Sequence, residues 1–208
     1  MLDAAGRPTG TRKPRGDVHR DGDWHGALHL WVGGIGLDGT PFVLLQRRSQ
    51  SKDTWPGALD VAVGGHLRAG ETLAEAIREA EEEIGLAVGL DDVVRLGRRF
   101  AHSLSGRDNE VQEVFALRSD RALAGYRLHP EEVDAVVSVP LEAAIALFDG
   151  SRVAVGGLEL LRGEMSGRPT ELTIAGFAAG DRGGYPALAL RGLREVIAGR
   201  SPEPFELR

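Results

Sequence analysis

The segment AVGGHLRAGETLAEAIREAEEEIGL, residues 62–86, concentrates glutamate directly after a glycine-rich loop. Glu79, Glu82 and Glu83 are spaced i, i+3 and i+4, so on a helix their carboxylates come within reach of one another. Like charges at this spacing repel, and a hard divalent cation such as Mg²⁺, which prefers oxygen ligands, would remove the repulsion. The segment therefore predicts a helix that is either an ordinary solvated face or one wall of a cation site.

The residues around these acids form a longer ordered pattern. It runs from Gly65 through five residues to Glu71, then through six residues to REAEEEIGL, which ends at Leu86. This pattern resembles the Nudix box, the signature of the Nudix hydrolases, in which seven residues separate the first Glu from the Arg. We expect the shorter spacing to be absorbed near the start of the helix.

The resemblance implies a fold, a metal and a set of residue roles. The implied fold is an α/β/α sandwich with a mixed sheet. The implied ligands of Mg²⁺ or Mn²⁺ are Glu79, Glu82 and Glu83. Arg78 and Glu71 are implied to brace the loop, and Arg78 can pair with Glu82 or reach back to Glu71.

Composition limits the classes of function that need to be considered. The chain has 208 residues, 42% of them hydrophobic, a net charge of −6 and no cysteine. Disulfides, thiolate metal sites and cysteine catalysis are therefore excluded. No run is long and apolar enough for a membrane span, and the polar N-terminus lacks the apolar core of a signal peptide. We expect a cytoplasmic protein that has neither a membrane nor a nucleic-acid partner.

Periodicity and turn residues predict a flexible arm over residues 1–16, followed by a single domain over 17–208 with a C-terminal helical extension. Strands are predicted over 29–36, 42–48, 59–67, 93–103, 110–118 and 133–141. Helices are predicted over 72–84, 141–148 and 186–200. Residues 150–184 are rich in glycine and give no clear pattern. This order of elements indicates an α/β fold, a mixed sheet between helices.

A second resemblance, to the isopentenyl-diphosphate isomerase-like branch of the Nudix superfamily, covers most of residues 8–117. It rests on PTGT (8–11), WHGALHLWV (24–32), RRSQSKDTWPG (47–57), VGGHL (63–67) and DNEVQEVFAL (108–117). By this resemblance the ligands of a second metal are His19, His25, His66, Asp108 and Glu110. Imidazole and carboxylate together suit Mn²⁺, Zn²⁺ or Mg²⁺. The alternative is that these histidines are strand-end residues with ordinary hydrogen bonds.

The same resemblance gives Arg48 and Lys52 the role of binding a diphosphate. A guanidinium fork and an ammonium group both suit phosphate oxygens. The alternative for Lys52 is a solubilising loop charge, and Arg47 is expected to point to the opposite face. Trp24, Trp31 and Trp55 could stack on a base, and the alternative, expected for at least Trp31, is packing in the core or a loop.

The isomerases need a cysteine at the position that Gly64 occupies, and this chain has none. We therefore predict a metal-dependent Nudix pyrophosphohydrolase that acts on a nucleoside di- or triphosphate or a nucleoside diphosphate conjugate. The alternatives are an isopentenyl-diphosphate isomerase-like enzyme and a catalytically weak ligand-binding module. A small-molecule diphosphate is the expected partner, and the chain is a possible homodimer. The predicted catalytic residues are Arg78, Glu82, Glu83 and Glu110, with Glu113 as a further candidate for the general base.

Overall fold

The middle of the sheet is a twelve-residue strand, β1 (Trp24–Ile35), whose side chains alternate between two apolar cores. Leu28, Leu30 and Val32 enter one core, whereas Trp31 enters the other, as the period of two in a strand requires. The computed structural model describes residues 1–102, 109–178 and 184–208.

Ten strands within the described residues form one mixed sheet. The other strands are β2 (Pro41–Arg48), β3 (Leu59–Val61), β4 (Val63–His66), β5 (Val94–His102), β6 (Asn109–Arg118), β7 (Val133–Pro140), β8 (Val155–Leu161), β9 (Arg168–Leu172) and β10 (Phe205–Leu207). Their order is β10-β5-β6-β1-β2-β7-β8-β9, with β3 paired to β2 and β4 paired to β1. The β1–β6 and β10–β5 pairs are parallel and the remaining pairs are antiparallel.

Helices cover both faces of this sheet. They are α1 (Arg15–Asp21), α2 (Leu73–Ala76), α3 (Glu79–Ile84), α4 (Leu141–Phe148) and α5 (Tyr185–Ile197), with 3₁₀ turns at Leu90–Asp92, Leu123–Gly125 and Ile174–Gly176. Helices α4 and α5 pack into the core that contains Trp31, and α2 and α3 pack into the core that contains Leu28. The α/β/α sandwich with a mixed sheet is therefore confirmed. No helix among the described residues is long and apolar enough to cross a membrane.

The helix expected over residues 72–84 is two short helices. A capping box between Thr72 and Glu75 fixes the start of α2, and Gly85, in the left-handed region at φ 68°, ends α3. Between them, the amide of Arg78 donates to the carbonyl of Glu75 at 3.3 Å, a tighter i to i−3 bond. Both ends of the segment are regularly capped, and the interruption lies in its middle. That the short spacing is absorbed near the helix start stays a prediction.

Several other elements differ from the prediction, and α1 and β10 were not predicted at all. Strand β1 begins five residues before the expected 29, and the strand expected over 59–67 is the two strands β3 and β4. The region over 150–184 contains the β8–β9 hairpin. Glycines and exposed polar residues mask the alternation of this edge hairpin, which is why its sequence gave no pattern.

Residues 1–14 fold back against the end of the sheet at which β1 begins. The amide of Leu2 donates to the carbonyl of Trp24 at 2.8 Å, and the terminal amine donates to the carbonyl of Thr11 at 3.0 Å. A Cβ on Gly6 would lie 3.3 Å from side-chain atoms of Phe100 and Val111. The segment therefore contacts the domain, and its flexibility stays a prediction.

Candidate functional site

Three histidines meet at one end of the sheet face. In the parallel β1–β6 pair His25 lies opposite Glu110, and in the antiparallel β1–β4 pair His66 lies opposite Ala27. His19 reaches the same place from α1. The ligand atoms of the three histidines all lie within 4.8 Å of one another, so the structure brings together residues that are up to 47 positions apart.

Glu110 completes this group. Its carboxylate accepts a 2.8 Å hydrogen bond from Nε2 of His66 and a 2.7 Å bond from Nε2 of Gln112. Burial opposes ionisation of Glu110, but the hydrogen bond and charge of His66 outweigh it and hold the pKa of this carboxyl well below its usual range. Three imidazoles beside an ionised carboxylate are a donor set that fits Zn²⁺ or Mn²⁺ better than Mg²⁺, which prefers oxygen ligands. Asp108, the remaining expected ligand, lies outside the described residues.

The glutamates of residues 79–83 form a second group on the other side of β4. Glu83 is buried and Glu79 is half-buried, whereas Glu82 is exposed. Nε2 of Gln46 donates to Glu83 at 3.4 Å. Among the described residues, these carboxylates do not converge as closely as the histidines do. The group instead opens onto the cavity as a set of oxygen ligands, the kind that Mg²⁺ prefers.

Burial shifts the ionisation of this acid group. Burial, with the nearby charges of Glu79 and Glu132, raises the pKa of Glu83 to about 8. Burial, followed by the charge of Glu82, also raises the pKa of Glu79. Glu132, at the start of β7, was not predicted, because nothing in the sequence shows that it approaches residues some fifty positions earlier. The surroundings of Glu79 and Glu83 make their negative charge unfavourable. A bound cation would compensate this charge, so the group fits a cation site.

Alternation along β4 separates the two groups. A Cβ built on Gly65 would lie 3.2 Å from Cγ of Glu79, whereas one on Gly64 would face His29. Gly65 is therefore the position at which the absence of a side chain lets Glu79 lie against the strand. Gly64 and His66 belong to the histidine side.

The two predicted diphosphate-binding side chains line the same cavity, and each is already ion-paired. Arg48 contacts Asp60 at 3.0 Å and the carbonyl of Thr54, and Lys52 pairs with Glu132. Arg47 turns away, as expected, and its Nε lies 2.6 Å from Glu159. A diphosphate would have to replace these acidic partners.

The predicted role of Glu71 agrees with the observed contacts, because Glu71 accepts a 2.7 Å bond from the amide of Arg68 within the loop. The predicted roles of Arg78 and Glu113 do not agree with them. Arg78 forms no ion pair within the described part of the chain, and its Nε donates instead to the carbonyl of Glu75. The expected pairing of Arg78 is wrong because the irregular turn between α2 and α3 leaves its side chain exposed outside the cavity. Glu113 is held by Arg95 and Arg98, which makes it a poor general base.

A cavity of about 1210 Å³ joins both groups. Its lining also includes side chains that the motifs did not indicate, among them His29, Arg99 and Tyr185. Trp55 lies exposed at its edge, and Trp24 packs against Phe100 and His102. The alternation of β1 was the available signal for His29, because it places His29 on the same face as His25.

Comparison with known proteins agrees with this arrangement. The family model described as "NUDIX domain" matches residues 28–155. The chain belongs to the Nudix family. The Nudix match spans β1 to the start of β8 and includes the acid group, Arg48, Lys52 and His66.

Three relatives illustrate the range of this Nudix family. "Nudix hydrolase 3" of Arabidopsis thaliana is 39% identical over 149 residues, which are 68% of this chain and 19% of that protein. "Isopentenyl-diphosphate Delta-isomerase" of Escherichia coli O127:H6 is 34% identical over 59% of this chain and 67% of the isomerase. A MutT/nudix family protein from Enterococcus faecalis has a TM-score of 0.52 at 10% identity, covering 89% of this chain and 63% of its own, and shows the shared fold.

Gly65→Ala should weaken Mn²⁺ binding at the acid group by about 10-fold, because the added methyl group would displace Glu79 and changes that disturb the orientation of a ligand have effects of this size. Gly64→Ala is the matched control, since its nearest contact would be an ordinary 3.5 Å. A Mn²⁺ titration followed by electron paramagnetic resonance checks this. Equal affinities of the two variants would argue against Glu79 as a ligand.

The stability of the metal-free protein should depend on the ionisation of Glu83. Its folded-state pKa of about 8 lies above its ordinary value of 4.5, so between these pH values the folded state retains a proton that the unfolded state loses. Stability therefore falls as pH rises through this window, by up to about 1.4 kcal/mol per pH unit.

Glu83→Gln removes this titration. In the presence of EDTA, the difference between the Tm of the variant and the Tm of the wild type should increase by several degrees from pH 5 to pH 8, in favour of the variant. Glu82→Gln removes a carboxylate from an exposed position of the same helix and should show a much smaller change. Parallel pH dependence of the Tm in wild type and Glu83→Gln would contradict the burial of an ionisable Glu83.

Proposed function

We propose that this Nudix domain is a pyrophosphohydrolase that uses Mg²⁺ or Mn²⁺ to cleave a nucleoside di- or triphosphate or a nucleoside diphosphate conjugate. The observation that carries the proposal is the single cavity lined by a group of glutamates, a histidine cluster and two basic side chains. An anhydride between two phosphates needs cations to balance its charge and a base to accept a proton from water. All three kinds of group face the same space.

The acid group and the histidine cluster have different ligand chemistry. Glu79, Glu82 and Glu83 would hold one cation through oxygen alone. His19, His25, His66 and Glu110 would hold the other through mixed nitrogen and oxygen ligands. Divalent cations bound there would polarise phosphate oxygens and lower the pKa of a coordinated water.

Glu82 is the most accessible of the predicted catalytic acids, and it would act as general base in a state in which Glu79 and Glu83 hold the cation without it. It lines the cavity and is exposed, whereas Glu83 is buried and Glu110 is engaged by His66 and Gln112. A base must reach the proton that it accepts, so exposure to the cavity decides between them. Arg78, which does not line the cavity, would act on the structure of the α2–α3 turn rather than on substrate.

Arg48 and Lys52 would hold the diphosphate itself. Their present partners, Asp60 and Glu132, are carboxylates, so binding exchanges one pair of oxygen acceptors for another. Glu132 would then be released toward the acid group, whose charges it already influences. We suggest that substrate binding and cation binding support each other through this exchange.

The isomerase alternative requires proton transfer to and from carbon on a hydrocarbon chain. Gly64 offers no side chain for that step, and no cysteine exists anywhere in the chain. The complete set of acids does not favour the binding-module alternative.

Four further expectations stay predictions: the arm at residues 1–16, the single domain over 17–208, a homodimer and a cytoplasmic location.

A panel of nucleotides and nucleotide conjugates tests the proposal. At least one compound should release phosphate, or be split at its diphosphate, with Mg²⁺ or Mn²⁺ present, and EDTA should abolish the reaction. Isopentenyl diphosphate in heavy water should show no deuterium in a dimethylallyl product. Turnover that persists in EDTA, or isomerisation of isopentenyl diphosphate, would refute the proposal.

Substitution of either basic side chain should raise KM more than it lowers kcat. Arg48→Ala and Lys52→Ala each remove a charge-assisted contact to a group that is already charged in the ground state, so KM should rise about 10-fold. Arg152→Ala, an exposed arginine outside the cavity, is the control. A loss of kcat with unchanged KM would show that these residues act only in the transition state.

A further inference from the structure

His29 is a partly exposed side chain that lines the cavity and has no role in the proposed metal sites or in diphosphate binding. It lies four residues after His25 on the same face of β1, which places it about 13 Å further along the strand. Its neighbours across the sheet are Gly64 in β4 and Val114 in β6. His29 therefore lies on the wall of the same cavity that the acid group, Arg48 and Lys52 line.

The C-terminal helix fixes the orientation of this imidazole. Nδ1 of His29 lies 2.9 Å from the hydroxyl of Tyr185, the first residue of α5, and the buried indole of Trp31 donates to the same hydroxyl at 3.0 Å. The guanidinium of Arg99 lies 4.3 Å from the centre of the Tyr185 ring. Tyr185 thus holds one edge of His29, and Trp31 holds the hydroxyl of Tyr185.

The Nε2–Cδ2 edge of the ring lies next to Gly64, and the side chain lines the cavity. A Cβ built on Gly64 would lie 3.9 Å from Nε2 of His29 and 3.8 Å from its Cδ2, which are ordinary contact distances, so glycine leaves a methyl-sized space beside this edge. Within the described part of the chain, no protein group forms a hydrogen bond with Nε2. Burial lowers the pKa of His29, so at neutral pH the ring is neutral, with one nitrogen a donor and the other an acceptor.

We propose that His29 is a specificity-determining residue whose Nε2 hydrogen-bonds a hydroxyl group on the moiety attached to the diphosphate, as on the sugar of a nucleoside diphosphate. A hydroxyl group both donates and accepts, so it satisfies Nε2 in either tautomer. A hydrocarbon chain would leave this polar nitrogen unpaired in the closed complex, which costs about 10- to 100-fold in affinity. The proposal rests on the proposed hydrolase function for the diphosphate and adds the class of group beside it.

Two isosteric variants separate the two nitrogens of His29. The amide of asparagine reaches the position of Nδ1 and can keep the contact with Tyr185, whereas the amide of glutamine reaches the position of Nε2. His29→Asn should therefore lose recognition of the hydroxyl, and His29→Gln should keep part of it. Thermal unfolding of both variants shows whether they are folded.

The probes are adenosine diphosphate, 2′,3′-dideoxyadenosine diphosphate and isopentenyl diphosphate. Affinities are measured by calorimetry with Ca²⁺ in place of Mg²⁺, and kcat/KM is measured separately with Mg²⁺. The wild type should favour adenosine diphosphate over its dideoxy analogue and over isopentenyl diphosphate by about 10- to 100-fold in affinity. This preference should fall below about 3-fold in His29→Asn and stay higher in His29→Gln.

The outcomes distinguish the two proposals. A preference that depends on His29 without any turnover would support the subsite and refute the hydrolase. Turnover with no preference for the hydroxylated probe, or with the same preference in wild type and His29→Asn, would overturn the role of His29. Failure of the wild type to bind any of the three probes would also overturn it.

Discussion

The site depends on the register of β1 between two partners, β6 on one side and β4 on the other. Parallel pairing sets His25 beside Glu110, and antiparallel pairing sets His29 beside Gly64 and brings His66 to the same face. A slip of one residue in either pair would turn these side chains into the opposite core, because the side-chain period of a strand is two. The apolar side chains of β1 secure the register, since Leu28, Leu30 and Val32 must stay buried under α3 while Trp31 stays under α5. The same register of β1 is therefore required both for packing of the two cores and for assembly of the site.

Strand β4 acts as a partition between two kinds of charged group. On one side, imidazoles and Glu110 form a compact set in which opposite charges and hydrogen bonds stabilise the ionised carboxylate. On the other, Glu79 and Glu83 lie in surroundings that disfavour their charge, with Glu132 adding to the repulsion and Lys52 reducing it. The contacts of the first group favour an ionised Glu110, whereas the surroundings of Glu79 and Glu83 disfavour their charge, so an added cation would stabilise the second group more. Small residues at the two positions before His66 allow side chains to approach the strand from both sides.

The acid segment has two regular ends and an irregular middle. Caps at Thr72 and Gly85 fix its ends, and between them a turn interrupts the ladder of hydrogen bonds. The apolar side of both helices is retained, with Ile77 and Ile84 buried in the same core. Arg78 lies at this turn and is exposed outside the cavity, whereas Glu79, Glu82 and Glu83, which follow it, line the cavity.

The sequence by itself determined the family pattern, the two sets of metal-ligating residue types, the basic pair at Arg48 and Lys52 and most of the strands, because each is encoded in local spacing or in alternation. Even the distant set of His19, His25 and His66 was found, though by resemblance and not by spacing. Only the tertiary structure decided which acids are buried, that Glu132 joins the acid group, that Arg78 turns away, and that Tyr185 holds His29. These are contacts between segments that no local pattern relates. They follow from strand order and helix packing, which fix distances across the chain only after the whole sheet has formed.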